Sequence, residues 1–191
     1  MTWTPLELAA NFMTLVCIFL AGRNNVHTWW TGIVACVLFG AVFYGANLYA
    51  DVLLQAFFVV TGVLGWVMWT RRGTQAVELP ITTSDRTTLL GFLLLAVTVA
   101  YGYGTILKFY TDAYAPMIDS LVLTLSVTGQ ILLMRRKLET WYFWVVVNGL
   151  SVPLYFTREL YLTSILYSVF FFYAIWSALN WRKLVAAKVT E

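Results

Sequence analysis

The sequence predicts an all-α integral membrane protein of seven transmembrane helices, in a 3+1+3 arrangement of two parallel repeats with a linker helix. Three observations carry that prediction: a shortage of charge, seven apolar stretches of span length, and an ungapped internal repeat. Of the 191 residues, 61% are hydrophobic and only 11% are charged, against about 25% charged in an ordinary soluble domain. So little polar material, spread along the whole length, cannot clothe a water-facing surface. The mean hydropathy of +0.78 agrees. Nine Trp, eleven Tyr and thirteen Phe add aromatic surface suited to membrane interfaces and to flat ligands. Cys17 and Cys36 both fall inside apolar stretches, so they form no disulfide framework, and no Cys/His spacing suggests a metal site. The opening MTWTPLELAANFMTLVCIFLAG has no basic segment ahead of its apolar run, and reads as a first helix rather than a cleaved leader.

A span needs about 20 predominantly apolar residues. Helices are expected over 5–22, 28–46, 50–70, 88–108, 115–134, 140–157 and 160–181. Short polar breaks separate them, such as Arg23-Asn24-Asn25, Arg135-Arg136-Lys137 and Arg158-Glu159. Only the third break, Arg71 to Arg86, is long enough for a short amphipathic or flexible piece. The expected organisation is one transmembrane domain: 1–72 as repeat one, 73–111 as a linker carrying helix 4, 112–184 as repeat two and 185–191 as a tail.

Loop charge orients the chain. With an odd number of spans the termini lie on opposite sides. The side of the N-terminus then carries Lys108 and Arg158. The other side carries Arg23, Arg71, Arg72, Arg86, Arg135, Arg136, Lys137, Arg182, Lys183 and Lys188. Cytoplasmic loops are the ones enriched in Lys and Arg. The N-terminus is therefore expected outside and the C-terminus inside, and an even span count would have mixed the two sets.

Shifted by 112 positions without gaps, the chain matches itself at ten positions between residues 23 and 69. Arg23 falls on Arg135, Thr28-Trp29 on Thr140-Trp141, Val34 on Val146 and Leu38 on Leu150. Leu48-Tyr49 falls on Leu160-Tyr161, and Leu54, Phe58 and Trp69 fall on Leu166, Phe170 and Trp181. An offset of four helices restores the direction of travel, so the two repeats run parallel. Parallel repeats about an axis along the membrane normal are a known transporter plan, with substrate held near mid-membrane between the halves. A repeat kept only for packing, in a scaffold or receptor, is the competing reading.

Helix 6 is the most informative segment. Trp141, Trp144, Asn148, Ser151 and Tyr155 follow at spacings of 3, 4, 3 and 4, which places them on one face. Two indoles one turn apart can stack on a flat ring, a positively charged one included, and the amide can hydrogen-bond its polar edge. The plainer alternative makes Trp141 an interface anchor and Asn148 an interhelical hydrogen bond. Helix 3 presents Asp51, Gln55, Phe58, Gly62, Trp66 and Trp69 on one face. An amide at the depth of Gln55 needs a partner or a wet cavity, and Gly62 leaves a gap for a ligand or a neighbouring helix. Trp66 and Trp69 lie near the cytoplasmic end and equally suit anchoring. Helix 7 carries Thr163, Tyr167, Phe170 and Tyr173, either an aromatic wall with hydroxyls or a packed seam. Asn47 and Asn180 sit at helix ends and read as caps. In helix 2 the counterparts of Trp144 and Asn148 are Gly32 and Cys36, beside Trp29, Phe39 and Phe43. One repeat thus has an aromatic and polar stripe where the other is small, as one asymmetric ligand would require.

No ionisable side chain falls near the middle of any expected span. Glu7, Asp51 and Asp119 lie at outer ends, and His27 at the inner end of helix 2. Driven pumps and proton relays generally use buried ionisable groups, and no Gly-rich phosphate loop ending in Lys-Ser/Thr is present. No nucleophile and base share a span, which argues against an enzyme. An uncoupled, diffusion-driven carrier fits these absences best, with no cofactor, no metal and no nucleic-acid partner.

The segments Trp29 to Trp69 and Thr140 to Trp181 resemble the nicotinamide riboside transporter (PnuC) family. The marks are LYAD-xxx-Q, G-W-xx-W, W-xx-W-xxx-N and L-Y-xxxxx-Y, which together cover about half the chain in two ordered blocks. The resemblance implies facilitated diffusion of a vitamin precursor across the bacterial inner membrane, drawn inward by a cytoplasmic kinase that phosphorylates the ligand. It implies substrate contacts at Trp141, Trp144, Asn148 and Gln55, and further ones at Trp66, Tyr167 and Tyr173. The family also holds thiamine and riboflavin carriers. Nicotinamide riboside and thiamine both bring a cationic aromatic ring to a Trp cage, and the Trp-xx-Trp-xxx-Asn pattern favours nicotinamide riboside. The lipid bilayer is the other expected partner, and a homo-oligomer is left open.

Overall fold

The computed structural model describes residues 5–45, 49–71, 80–110, 115–157 and 161–187. Seven helices fill them: α1 (Pro5–Gly22), α2 (Thr28–Gly45), α3 (Tyr49–Arg71), α4 (Arg86–Tyr110), α5 (Pro116–Met134), α6 (Thr140–Thr157) and α7 (Tyr161–Ala187). Asn47, Arg72, Arg158, Glu159 and Lys188 lie outside the described residues, as do the side chains of Glu7, Phe43, Asp51, Arg71, Tyr155 and Thr163. Each expected span has its helix, with ends that agree within about two residues except at one end. There α7 runs past 181 through Arg182 and Lys183 to Ala187. Arg, Lys, Leu and Ala are good helix formers, so the helix continues beyond the apolar stretch that a hydropathy reading detects. At 1.5 Å per residue, the 18-residue helices α1, α2 and α6 are about 27 Å long, close to the hydrocarbon thickness of a bilayer. Among the described residues, α4, α5 and Ser164–Ala187 of α7 are long and apolar enough to cross a membrane, and Leu8–Gly22, Thr28–Val42 and Leu54–Thr70 form shorter apolar stretches.

The chain divides into two compact units, Met1–Pro80 and Ile81–Glu191. In the first, α1 packs on α2 and α2 on α3; in the second, α4 packs on α5, α5 on α6 and α6 on α7. Helix α4 buries only Ala96, Ala100 and Gly104, one small residue per turn. Leu90, Leu93, Leu94 and Leu95 point the other way, with Leu94 67% and Leu95 61% exposed. In lipid such surface costs nothing, while small residues let backbones approach closely. The approach is tightest at Gly104, where an added Cβ would stand 2.8 Å from Met117 Sδ and 3.1 Å from the Pro116 carbonyl. Gly104→Leu is therefore expected to part α4 from α5, lowering the melting temperature of the detergent-solubilised protein, whereas Gly102→Leu, at a position open to its surroundings, leaves it unchanged.

Around the α1–α2 and α5–α6 turns the same hydrogen bonds recur at the offset of 112. Helix α1 ends with Asn24 in the left-handed region (φ 55°), and α5 ends with Arg136 there (φ 51°). In the first turn the Asn25 N–H donates to the Leu20 carbonyl at 3.0 Å and the Asn24 N–H to Ala21 at 2.9 Å. In the second, Lys137 donates to Leu132 and Arg136 to Leu133, both at 2.9 Å. This paired closure is the Schellman motif. Each turn then delivers a threonine whose hydroxyl reaches back across to the preceding helix: Thr28 Oγ1 donates to the Cys17 carbonyl at 2.8 Å, and Thr140 Oγ1 to the Gly129 carbonyl at 2.7 Å. Next comes a buried tryptophan set edge-to-face against another: Trp29 on Trp69 (5.2 Å, 84°) and Trp141 on Trp181 (5.6 Å, 83°).

The long third break is pinned where it is described. The Thr82 N–H donates to the Arg136 carbonyl at 3.1 Å and the Leu138 N–H to the Thr82 carbonyl at 2.9 Å, an isolated parallel bridge. Buried Glu139 accepts from the Ser84 N–H at 3.0 Å, and Lys137 Nζ donates to the Thr83 carbonyl at 3.0 Å. Residues 80–85 are thus an extended strip fixed to the α5–α6 turn rather than an amphipathic helix. Asp85 caps α4, accepting from the Thr87 hydroxyl and from the Thr88 N–H. These bonds, that of Thr87 foremost, hold its carboxyl well below the usual carboxylate range.

Candidate functional site

On α6 the side chains at spacing 3 and 4 form an inward strip. Trp141 is 3% exposed and set edge-to-face against Trp181, so it packs α6 on α7. Ser151 is fully buried. Trp144 is half-buried and leans on the cluster of Ala96, Leu125 and Val147. Its indole edge lies over Gly129 of α5, where an added Cβ would touch Cε2 and Nε1 at 3.4 Å. Asn148, one turn further, is 5% exposed and makes none of the side-chain hydrogen bonds found among the described residues. An amide inside a membrane span needs a partner or a wet cavity, and a polar ligand edge would supply one. Pro153 interrupts the same helix. Having no N–H, it leaves the Gly149 carbonyl, next to Asn148, without its usual helical donor.

The remaining expected positions are spread over α3 and α7. Gln55 is half-buried and faces α2, where a Cβ on Gly40 would lie 3.8 Å from its own Cβ. The gap left by Gly62 is filled by a neighbouring helix: Ile33 of α2 would stand 2.9 Å from a Cβ there. Trp66 is 43% exposed, unlike Trp69, which is buried against Trp29. Tyr167 is half-buried and tilted on Phe170 (5.8 Å), and Tyr173 is half-buried and tilted on Trp176 (5.2 Å, 31°). At the N-terminal end of α2, the Trp30 indole N–H donates to His27 Nδ1 at 3.0 Å.

A surface cavity of about 450 Å³ opens at the foot of α4, lined by Thr83, Ser84, Asp85, Thr88, Phe92, Leu132, Arg135 and Lys137. None of the expected contacts lies in it. Among the described residues no group of His, Cys, Asp or Glu is placed to hold a metal ion. Reading the sequence missed two features of the strip on α6. One is Gly129, whose only sign was its pairing with Cys17 under the repeat. The other is the reach of Thr140, signalled by the Thr28/Thr140 identity.

A family profile described as nicotinamide mononucleotide transporter matches residues 4–183. The chain belongs to that family. It is 28% identical over 203 aligned positions to the nicotinamide riboside transporter PnuC of Escherichia coli, covering 92% of this chain and 84% of that one. It is 22% identical to a PnuC of Neisseria mucosa, over 90% of this chain and 69% of the other. The riboflavin/roseoflavin transporter RibM of Streptomyces davaonensis is 24% identical, over 92% and 83% of the two chains. A crystal structure of the vitamin B3 transporter PnuC shares the fold: the TM-score is 0.74 at 23% identity, covering 95% of this chain and 82% of that one. Family membership and the apolar helices together make the chain a membrane-embedded transporter.

Proposed function

We propose that the protein carries nicotinamide riboside into the cell by facilitated diffusion. The observation that supports this most is the pairing of Trp144 with Asn148, one turn apart on α6. The first offers an electron-rich face to a cationic pyridinium ring. The second is a buried amide whose donor and acceptor match those of the ring's carboxamide. Trp141 stands behind them as the anchor of α6 on α7. Gln55 and Trp66 of α3 and Tyr167 and Tyr173 of α7 are further contacts that the family resemblance suggests. Relatives named as nicotinamide riboside transporters support the substrate.

The working topology is 3+1+3, with 1–72 and 112–184 as repeats and α4 in the linker, and the repeated hydrogen bonds favour it. The excess of Lys and Arg on one side favours a cytoplasmic C-terminus and an external N-terminus in the inner membrane of a bacterium. Transport follows alternating access. With no ionisable group near the middle of a span to couple a driving ion, net uptake is drawn by a cytoplasmic kinase that phosphorylates the arriving ligand. A flavin or thiamine is the second reading, favoured for flavin by the likeness to a riboflavin/roseoflavin transporter.

Asn148→Leu tests the reading. Leucine keeps the volume and suits lipid, so membrane insertion is unchanged. Loss of the amide leaves the ligand's polar edge unpaired at roughly 1–3 kcal/mol, and binding of nicotinamide riboside, followed by tryptophan fluorescence quenching of the purified protein, is expected to weaken about ten- to a hundredfold. Saturable quenching by riboflavin or thiamine, with none by nicotinamide riboside, replaces the substrate. Quenching by none of the three points to a scaffold or receptor.

A further inference from the structure

Where the two repeats differ most in bulk, they differ reciprocally. In the first unit Cys17 of α1 faces Gly32 of α2, and a Cβ built on Gly32 would stand 3.0 Å from Cys17 Sγ. At the matching positions of the second unit the small and large residues have traded helices. Gly129 of α5 faces Trp144 of α6, and a Cβ on Gly129 would stand 3.4 Å from the indole Cε2 and Nε1 and 3.5 Å from Phe143 Cβ. The threonine bond that sets the spacing of the two helices is the same in both, 2.8 Å from Thr28 Oγ1 to the Cys17 carbonyl and 2.7 Å from Thr140 Oγ1 to the Gly129 carbonyl. At that spacing a side chain on one helix leaves the facing position room for at most a methyl group.

We propose that Gly129 is a positioning residue for substrate recognition: it is the seat on which the Trp144 indole lies, and it fixes the ring in the orientation that meets the ligand. The inference rests on the proposed role of Trp144. A methyl at 129 only touches the indole. An atom beyond Cβ on the side of α6 enters the indole's space, and the ring then has to leave its rotamer. Cysteine is the informative substitution because the first unit carries it at this register, on the same turn and beside the same threonine bond, and does so opposite a glycine.

The test is uptake of nicotinamide riboside into vesicles holding Gly129→Cys. Partial loss of a stacking contact worth about thirtyfold when desolvated is expected to raise KM about tenfold while membrane content and maximal rate stay within about twofold. Combining it with Trp144→Phe, a smaller ring that fits beside the thiol, is expected to recover part of the KM. Should Gly129→Cys fail to reach the membrane, Gly129→Ser, whose hydroxyl also adds an atom beyond Cβ, carries the same test, and Gly129→Ala is expected to leave KM unchanged. An unchanged KM, with Trp144→Ala inactive, overturns the seat and leaves the role of Trp144 standing. Reduced content and rate at unchanged KM make Gly129 a packing residue only, which also overturns it. Normal uptake by Trp144→Ala removes the role of Trp144, and the proposal with it.

Discussion

Trp144→Ala is expected to abolish uptake of nicotinamide riboside at low substrate while leaving the protein in the membrane in normal amount. The indole is half-buried and rests on Gly129 and on the cluster of Ala96, Leu125 and Val147. Its removal leaves both helices' other contacts in place, including the Thr140 bond and the Trp141–Trp181 pair. What is lost is the flat, electron-rich surface facing the ligand. A desolvated cation–π contact is worth about 2 kcal/mol or more, which corresponds to a loss of roughly thirtyfold or more in affinity. Radiolabelled uptake at substrate well below KM would read that loss directly. Trp144→Phe, which keeps a smaller face, should fall between the two. If the cation is what the ring recognises, the deficit should shrink for riboflavin, whose ring is neutral. Uptake at the normal rate by Trp144→Ala would show that ligand recognition lies elsewhere than on α6.

Hydropathy made the seven helices legible, because a bilayer leaves no other way to satisfy a backbone than a helix or a closed barrel. The end of α7 was not, since Arg182 to Ala187 extend the helix beyond the apolar stretch on helix propensity. Nor was the strip at 80–85, whose order comes from hydrogen bonds to residues 136–139, more than fifty positions away. Composition cannot reveal such bonds. The repeat was legible as a pattern, and its physical meaning lies in the contacts its identical residues make. Positions identical in both repeats hold each unit together: Thr28 and Thr140 bridge helices, and Trp29 with Trp69 and Trp141 with Trp181 form buried pairs. Positions that differ, Gly32 against Trp144 and Cys36 against Asn148, are those proposed to meet the ligand. Spacing alone put Trp141 and Trp144 on one face, but could not separate the packing indole from the accessible one. That distinction depends on α7, which supplies Trp181, and on α5, which supplies a glycine.

Trp181→Ala is expected to be the most destabilising single change in the second unit, with little effect on ligand affinity in the protein that survives. Trp181 is 0% exposed and Trp141 3% exposed, so alanine at 181 opens a cavity on the buried face of Trp141. In water-soluble cores, Trp→Ala costs about 3–5 kcal/mol from lost transfer and cavity terms together. Between helices in lipid the transfer part is weaker and packing remains, so roughly 3 kcal/mol is a fair expectation. Thermal unfolding of the purified protein in detergent measures it as a lowered midpoint. The first unit supplies an internal control, because Trp69 is buried at 3% against Trp29 in the same geometry. Trp69→Ala should therefore cost a similar amount. Quenching by nicotinamide riboside should stay saturable with near-normal affinity in Trp181→Ala at low temperature, since Trp144 and Asn148 rest on α5 and α6 contacts that the substitution leaves intact. A stable Trp181→Ala protein with lost binding would reverse the assignment, making the Trp141–Trp181 pair part of the ligand's surroundings and not the brace behind it.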